Sequence, residues 1–169
     1  MKKFALLFLL LSVSAVTTLG QKKTFILVRH AEKSTTGDAE MMAKGDPDLS
    51  VEGRERAERF AKRVKKYRPG EIFSTEYKRT RQTAEPIAKL RGKAIQTYDA
   101  AKQTDLISSI FTAKTKRFLI VGHSNTIPAL ANLLFKKDIF KNLQDSEYGV
   151  FWVVRTEKGE VTKVDVFPF

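Results

Sequence analysis

The order of apolar and amphipathic segments predicts a three-layer α/β/α sandwich around a mostly parallel central sheet. Three observations carry this. Residues 24–28, "TFILV", form a short apolar, partly β-branched run, the pattern of a strand buried on both faces. Similar short runs recur along the chain, each separated from the next by a helix-length amphipathic segment. The tail, around "TEKGE", has the alternating pattern of a hairpin.

Taken in order, the first strand is followed by a polar stretch, 31–49, containing Gly37, Gly45 and Pro47, which reads as a loop over the strand's end. Ser50 caps a helix reaching to about Tyr67, with Ala57, Phe60, Ala61 and Val64 at core spacing, and Pro69-Gly70 stops it. Residues 71–73 form a second strand. A helix over about 77–90 follows, with Pro86 as a potential kink and Gly92 as its stop. Residues 94–98 are a third strand and 105–113 a helix. Residues 117–121 make a fourth strand that breaks at Gly122, and 126–135 a helix that tolerates Pro128 in its first turn. Residues 149–155 and 161–167 are the arms of the hairpin. No repeat, low-complexity tract or linker interrupts the series, so 21–169 is expected to be a single catalytic domain.

The first twenty residues stand apart. Lys2 and Lys3 precede an apolar run, 4–16, too short to span a bilayer comfortably, and small residues at Ala15, or at Thr18 and Gly20, offer cleavage sites. This reads as a signal peptide, 1–20, which implies a periplasmic or secreted product with no stable membrane span after cleavage. Without cysteine the chain has no disulfide frame, thiolate metal site or lipid-acceptor thiol. A net charge of +12 favours phosphate-bearing partners by long-range steering. Basic residues 54–66 are the solvated face of one helix, and no nucleic-acid reading motif accompanies them, so no nucleic acid is expected as a partner.

Both histidines of the chain follow predicted strands: His30 in "LVRHAEK" and His123 in "FLIVGHSNT". In a parallel sheet both therefore reach the rim where ligands bind, beyond the carboxyl ends of the strands. Neutral imidazole is a good nucleophile near pH 7. An adjacent arginine, here Arg29, disfavours the protonated ring and clamps phosphate oxygens in pairs. One ring nitrogen must face phosphorus while the other donates to a backbone carbonyl. Phosphoryl transfer spreads charge over three equatorial oxygens, so the rest of such a pocket should be cationic or hydrogen-bond donating.

"LVRHAEK" resembles the "RHG" signature of the histidine phosphatase superfamily, which includes cofactor-dependent phosphoglycerate mutases, phosphohistidine phosphatases and acid phosphatases. "FSTEYKRTRQTAEPIA" resembles the family's second motif, and "VGHSNT" its third. "DPDLSVEGRERA" is similar to the segment opening the first family helix. The resemblance covers about 25–135. It implies a phosphoglycerate mutase-like fold and a phosphatase that passes through a phosphohistidine on His30. Arg29, Arg79 and His123 would hold the phosphoryl group, and no cofactor is implied. Ala31 stands where the family most often has Gly, and Thr36 falls where some members place a phosphate-contacting side chain.

An alkoxide leaving group needs a proton, which a carboxylic acid with a raised pKa can supply. Larger relatives carry that acid in an insertion after the third strand, whereas 98–116 here is short. Asp99, at that strand's end, is the candidate, with Asp105 and Glu32 behind it. The compact chain resembles the phosphohistidine-phosphatase branch, and a leader peptide points to a small phosphorylated substrate or a phosphorylated envelope component. The rival from another class is a catalytically weak, exported anion-binding relative. A serine-hydrolase elbow at "GHSNT" is disfavoured because no histidine follows His123. An aspartyl-phosphate site at "DPD", 46–48, is disfavoured because it follows no apolar strand.

Overall fold

In the computed structural model of the protein, residues 21–35 and 45–169 are described; the predicted leader and Thr36 lie outside them. Strand β1 (Lys23–Arg29) is apolar from Phe25 to Val28 because both of its faces are covered. Phe25 and Leu27 point into one core, with Leu106, Ile110, Leu130 and Leu134. Ile26 and Val28 point into the other, with Phe60, Val64, Ala84 and Ile87. Each core buries one face of the sheet beneath a helix pair, which makes the three layers.

The elements follow in chain order. Helix α1 (Val51–Val64) runs into a 3₁₀ turn (Lys65–Tyr67), then β2 (Glu71–Ser74) and α2 (Lys78–Arg91). Next come β3 (Ile95–Thr97), α3 (Gln103–Thr112), β4 (Arg117–Gly122) and α4 (Thr126–Phe135). The hairpin β5 (Val150–Glu157) and β6 (Glu160–Pro168) closes the chain. Helices α1 and α2 cover one face, and α3 and α4 the other.

The strands lie in the order β3-β2-β4-β1-β5-β6. The first four are mutually parallel, and β5 and β6 run antiparallel. Sheet and layers are those expected from sequence. The boundaries moved slightly: the last turn of the first helix is 3₁₀, Pro86 sits inside α2 without ending it, and Gly122 remains paired in β4. Among the described residues no helix is long and apolar enough to cross a membrane.

Two local features set up the site. Ser50 accepts the Gly53 amide at 3.0 Å and so caps α1. Gly53 itself is required by close approach, since a Cβ there would lie 2.2 Å from the Glu32 carbonyl oxygen. The helix is thereby seated on the chain just beyond β1. At the opposite end of the sheet, Lys22, Arg68, Lys93, Lys114 and Lys116 stand immediately before or at the strand starts. These five cations therefore lie at the end of the sheet away from the carboxyl ends of the parallel strands.

Candidate active site

Register brings the histidines together. Parallel β1 and β4 are direct neighbours, with Arg29 opposite Gly122, so His30 and His123 occupy the next rung beyond the paired strands. The His30 amide donates to the Gly122 carbonyl at 2.9 Å, continuing the ladder by one step. The two rings meet edge to face with centroids 5.4 Å apart. Gly122 makes this turn possible: a Cβ there would meet Thr126 Oγ1 and Tyr98 Oη at 2.8 Å and Ile127 Cδ1 at 3.0 Å.

His30 is only 5 % exposed, and its Nδ1 lies 2.7 Å from the Ala31 carbonyl oxygen. A carbonyl only accepts, so Nδ1 carries the proton and Nε2 keeps its lone pair. Burial lowers the His30 pKa to about 3, assisted by the charges of Arg79, His123 and Arg29 against the opposing bond to Ala31. Burial, with Arg79 and Arg29, likewise lowers His123 to about 4. Both imidazoles are neutral at pH 7, one of them in the tautomer a nucleophile needs.

The segment 74–83 supplies a second wall. His123 Nε2 lies 3.0 Å from Thr75 Oγ1, which in turn lies 2.9 Å from Thr80 Oγ1. Thr80 also reaches the Tyr77 carbonyl at 2.7 Å. Either hydroxyl can donate in the Thr75–Thr80 contact, and the direction of the Thr75–His123 bond follows the tautomer of His123. From the other side, the His123 amide donates to Thr126 Oγ1 at 2.9 Å. Thr83 links the walls: it accepts the Ala31 amide at 2.9 Å and donates to the Arg79 carbonyl at 2.7 Å.

The guanidiniums flank the histidines, each lying over a tyrosine ring: Arg29 over Tyr148 at 4.0 Å and Arg79 over Tyr77 at 4.3 Å. Arg29 is 4 % exposed. Its Nη1 donates to the carbonyls of Gln144 (2.7 Å), Glu147 (3.1 Å) and Asp145 (3.4 Å). Its buried Nε has no hydrogen-bond partner among the described residues. A buried donor without a partner is costly, and it fits a site completed by an anion. Arg79 donates to the Gly45 carbonyl at 3.0 Å and faces Asp46 at 3.6 Å. Burial draws its guanidinium below the ordinary value, with Asp46 opposing.

Arg29, His30, Arg79 and His123 thus line one cavity of about 540 Å³. Lys33, Tyr77, Asp145 and Tyr148 join them, as do Ser124, Asn125 and Thr126 at the start of α4, where a helix end favours negative charge. Cations and donors surrounding a neutral imidazole suit a tetrahedral oxyanion.

Asp99 is the one predicted site residue that the structure does not bring to the cavity wall. It is exposed, and its Oδ1 accepts the Ala101 amide at 2.8 Å, an Asx turn that takes the carboxylate into its own loop while Ala100 lines the cavity. Glu32 is paired with Arg56, whose Nε lies 2.7 and 2.8 Å from its two oxygens. Burial favours its protonated form, but Arg56 outweighs this and holds the carboxyl below its usual range. Asp105 belongs to the exposed first turn of α3. The "DPD" segment braces α2: Asp46 accepts the Lys78 amide and Asp48 the Gln82 amide group, both at 2.8 Å.

Sequence reading missed the loop 144–148 and the Thr75–Thr80 pair. A hydroxyl-rich stretch after a strand was the available signal for the latter; a coil joined to β1 through its carbonyls leaves none.

Residues 25–108 match the histidine phosphatase superfamily (branch 1). No curated protein matches the chain. Among solved structures, a mycobacterial glucosyl-3-phosphoglycerate phosphatase with inorganic phosphate is similar at 14 % identity and TM-score 0.68, covering 88 % of this chain and 97 % of its own. A protein of Agrobacterium tumefaciens described as the phosphohistidine phosphatase SixA is 21 % identical at TM-score 0.65, over 85 % of this chain and 97 % of its own. "Mycobacterial hydrolase 1" reaches TM-score 0.71 at 13 % identity, over 88 % and 99 %. These likenesses show the shared fold, and the match over 25–108 identifies the chain as a member of the histidine phosphatase superfamily.

Proposed function

We propose that the protein is a phosphatase that hydrolyses phosphomonoesters, or phosphoramidates, through a covalent phosphohistidine on His30. The observation that carries this reading is the tautomer of a buried, neutral imidazole: with the Nδ1 proton on the Ala31 carbonyl, the lone pair belongs to Nε2. Nε2 attacks phosphorus as the P–O or P–N bond to the leaving group breaks. Arg29, Arg79 and His123 hold the equatorial oxygens. Water then attacks the phosphohistidine and releases inorganic phosphate, restoring the lone pair.

Two neighbours are named for glucosyl-3-phosphoglycerate and for phosphohistidine, which supports both oxygen and nitrogen leaving groups for this architecture. The leader-like segment 1–20 supports a periplasmic or secreted enzyme working on a small phosphorylated substrate or phosphorylated envelope component.

Hydrolysis of 4-nitrophenyl phosphate tests the reading, because this leaving group departs without acid help. Turnover abolished in His30→Ala, with an acid-labile, base-stable phosphoryl label on the wild-type protein, is the expected result. No turnover together with tight binding of inorganic phosphate would make the protein an anion-binding relative instead.

A further inference from the structure

We infer that Asp145, in the loop before β5, is the proton donor and acceptor of the reaction. The inference rests on the phosphatase reading above. Asp145 is the one carboxylate among the described residues lining the cavity. Among the described acids near the strand ends, Glu76 is exposed and stands off the cavity wall, and the others are engaged elsewhere. Asp99 accepts the Ala101 amide, Glu32 is bound by Arg56, Asp46 holds the Lys78 amide and Arg79, Asp48 holds Gln82, and Glu147 accepts the Gln144 amide at 2.5 Å.

The Asp145 side chain, in contrast, is fully exposed, and among the described residues its one partner is Arg29, 3.8 Å away. Its backbone is nevertheless held: the three carbonyls bonded to Arg29 Nη1 fix the loop around it, and the Leu143 amide donates to the Ser124 carbonyl at 2.9 Å. A fixed backbone with an exposed carboxyl, held only by the long contact to Arg29, is what a group that must serve two successive steps requires. The guanidinium that faces the phosphoryl group also carries the loop bearing the acid, so both are referenced to the same atoms.

The steps balance. In the first, the Nε2–P bond forms, the P–O bond breaks, and the Asp145 carboxyl gives its proton to the departing oxygen. In the second, water attacks phosphorus, its proton passes to the Asp145 carboxylate, the P–Nε2 bond breaks, and phosphate leaves with His30 neutral. His123 does not supply the proton, since it is neutral in the free site.

The test compares wild type, Asp145→Asn and Asp145→Glu on 4-nitrophenyl phosphate, phenyl phosphate and an alkyl phosphate such as glycerol phosphate. Asp145→Asn should lose about 10²–10⁴-fold in kcat on the alkyl phosphate, the usual range for general acid–base catalysis. On 4-nitrophenyl phosphate it should release a burst of one equivalent of nitrophenol and then turn over slowly, because the second step lacks its base. Asp145→Glu should recover part of the loss. A loss in the first step, read as kcat/KM or as the burst rate, that is equal for all three leaving groups would mark a structural role and overturn the assignment, as would an alkyl phosphatase rate within threefold of wild type. A leaving-group-dependent loss in Asp99→Asn would transfer the role to that residue. Failure of the phosphatase reading itself shows in the wild-type protein, whereas failure of this inference shows only in the Asp145 variants.

Discussion

The ring of His30 meets the ring of His123 edge to face at 5.4 Å, one rung beyond the last pair of two adjacent parallel strands. Ninety-three positions apart in sequence, they are neighbours because Arg29 pairs with Gly122. Their roles should separate on substitution. His30→Ala should remove both turnover and the phosphoryl label. His123→Ala should still accept the label, with kcat lower by about 10²–10³-fold, the cost of losing one preorganised donor to the transition state. Rapid-quench labelling of the two variants distinguishes them.

Acid should weaken the fold through the same two rings. Their ordinary pKa of 6.5 falls to about 3 and about 4 in the folded protein. Below pH 6.5 the unfolded chain binds protons that the native site refuses, so stability falls with pH until the native rings titrate near 4 and 3. Above 6.5 the two contribute no slope. Urea unfolding between pH 4 and 7 should show a flatter profile for His30→Asn than for wild type. The acid limb of kcat/KM for the free enzyme should lie near 4, well below that of an ordinary histidine.

Thr75→Val keeps the shape of a buried side chain and removes the hydroxyl between His123 and Thr80. One net hydrogen bond is worth about 1 kcal/mol. We expect kcat to drop about fivefold as His123 loses its orientation, with KM for 4-nitrophenyl phosphate nearly unchanged. Steady-state kinetics read the split.

Ala31 stands where the resemblance leads one to expect Gly, and the structure explains it as packing. Its methyl is 0 % exposed and meets Leu49 and Ala57, and its backbone is not among the left-handed positions. Ala31→Gly should therefore cost about 1 kcal/mol of stability, from one lost buried methyl and a freer unfolded chain. Activity should stay within twofold. Chemical denaturation alongside an aryl phosphate assay checks both halves.

Lys23 is 1 % exposed, and its ammonium donates to the carbonyls of Ala113 (2.5 Å) and Thr115 (2.8 Å), binding the end of α3 to the start of β1. Lys23→Met preserves the apolar stem and leaves two acceptors without a partner. The expected cost is about 1–3 kcal/mol, measurable by urea unfolding, with the kinetics of the distant cavity intact.

The sheet was legible because β1 and β4 are buried on both faces, which leaves uninterrupted apolar runs ending in Arg-His and Gly-His. Once parallel order was assumed, His30 and His123 had to share a rim, and the "KR" of the second motif added Arg79. The acid was not legible. Asp99 occupies a strand end, but the backbone beyond it folds into an Asx turn that consumes the carboxylate. Asp145 belongs to a stretch without periodicity, tied to β1 by bonds from a guanidinium to peptide carbonyls 115 to 118 residues away, which any side chains in that loop would permit. Composition likewise could not say where the charge would sit.

That distribution has a practical side. Lys22, Arg68, Lys93, Lys114 and Lys116 stand at or before the strand starts at one pole, whereas Asp46, Asp48, Asp99, Asp145 and Glu147 belong to the loops beyond the strand ends at the other, Asp145 alone of them lining the cavity. A polyanionic resin or surface should therefore grip the molecule from behind and leave its opening turned outward to the medium, so that adsorbed protein goes on working.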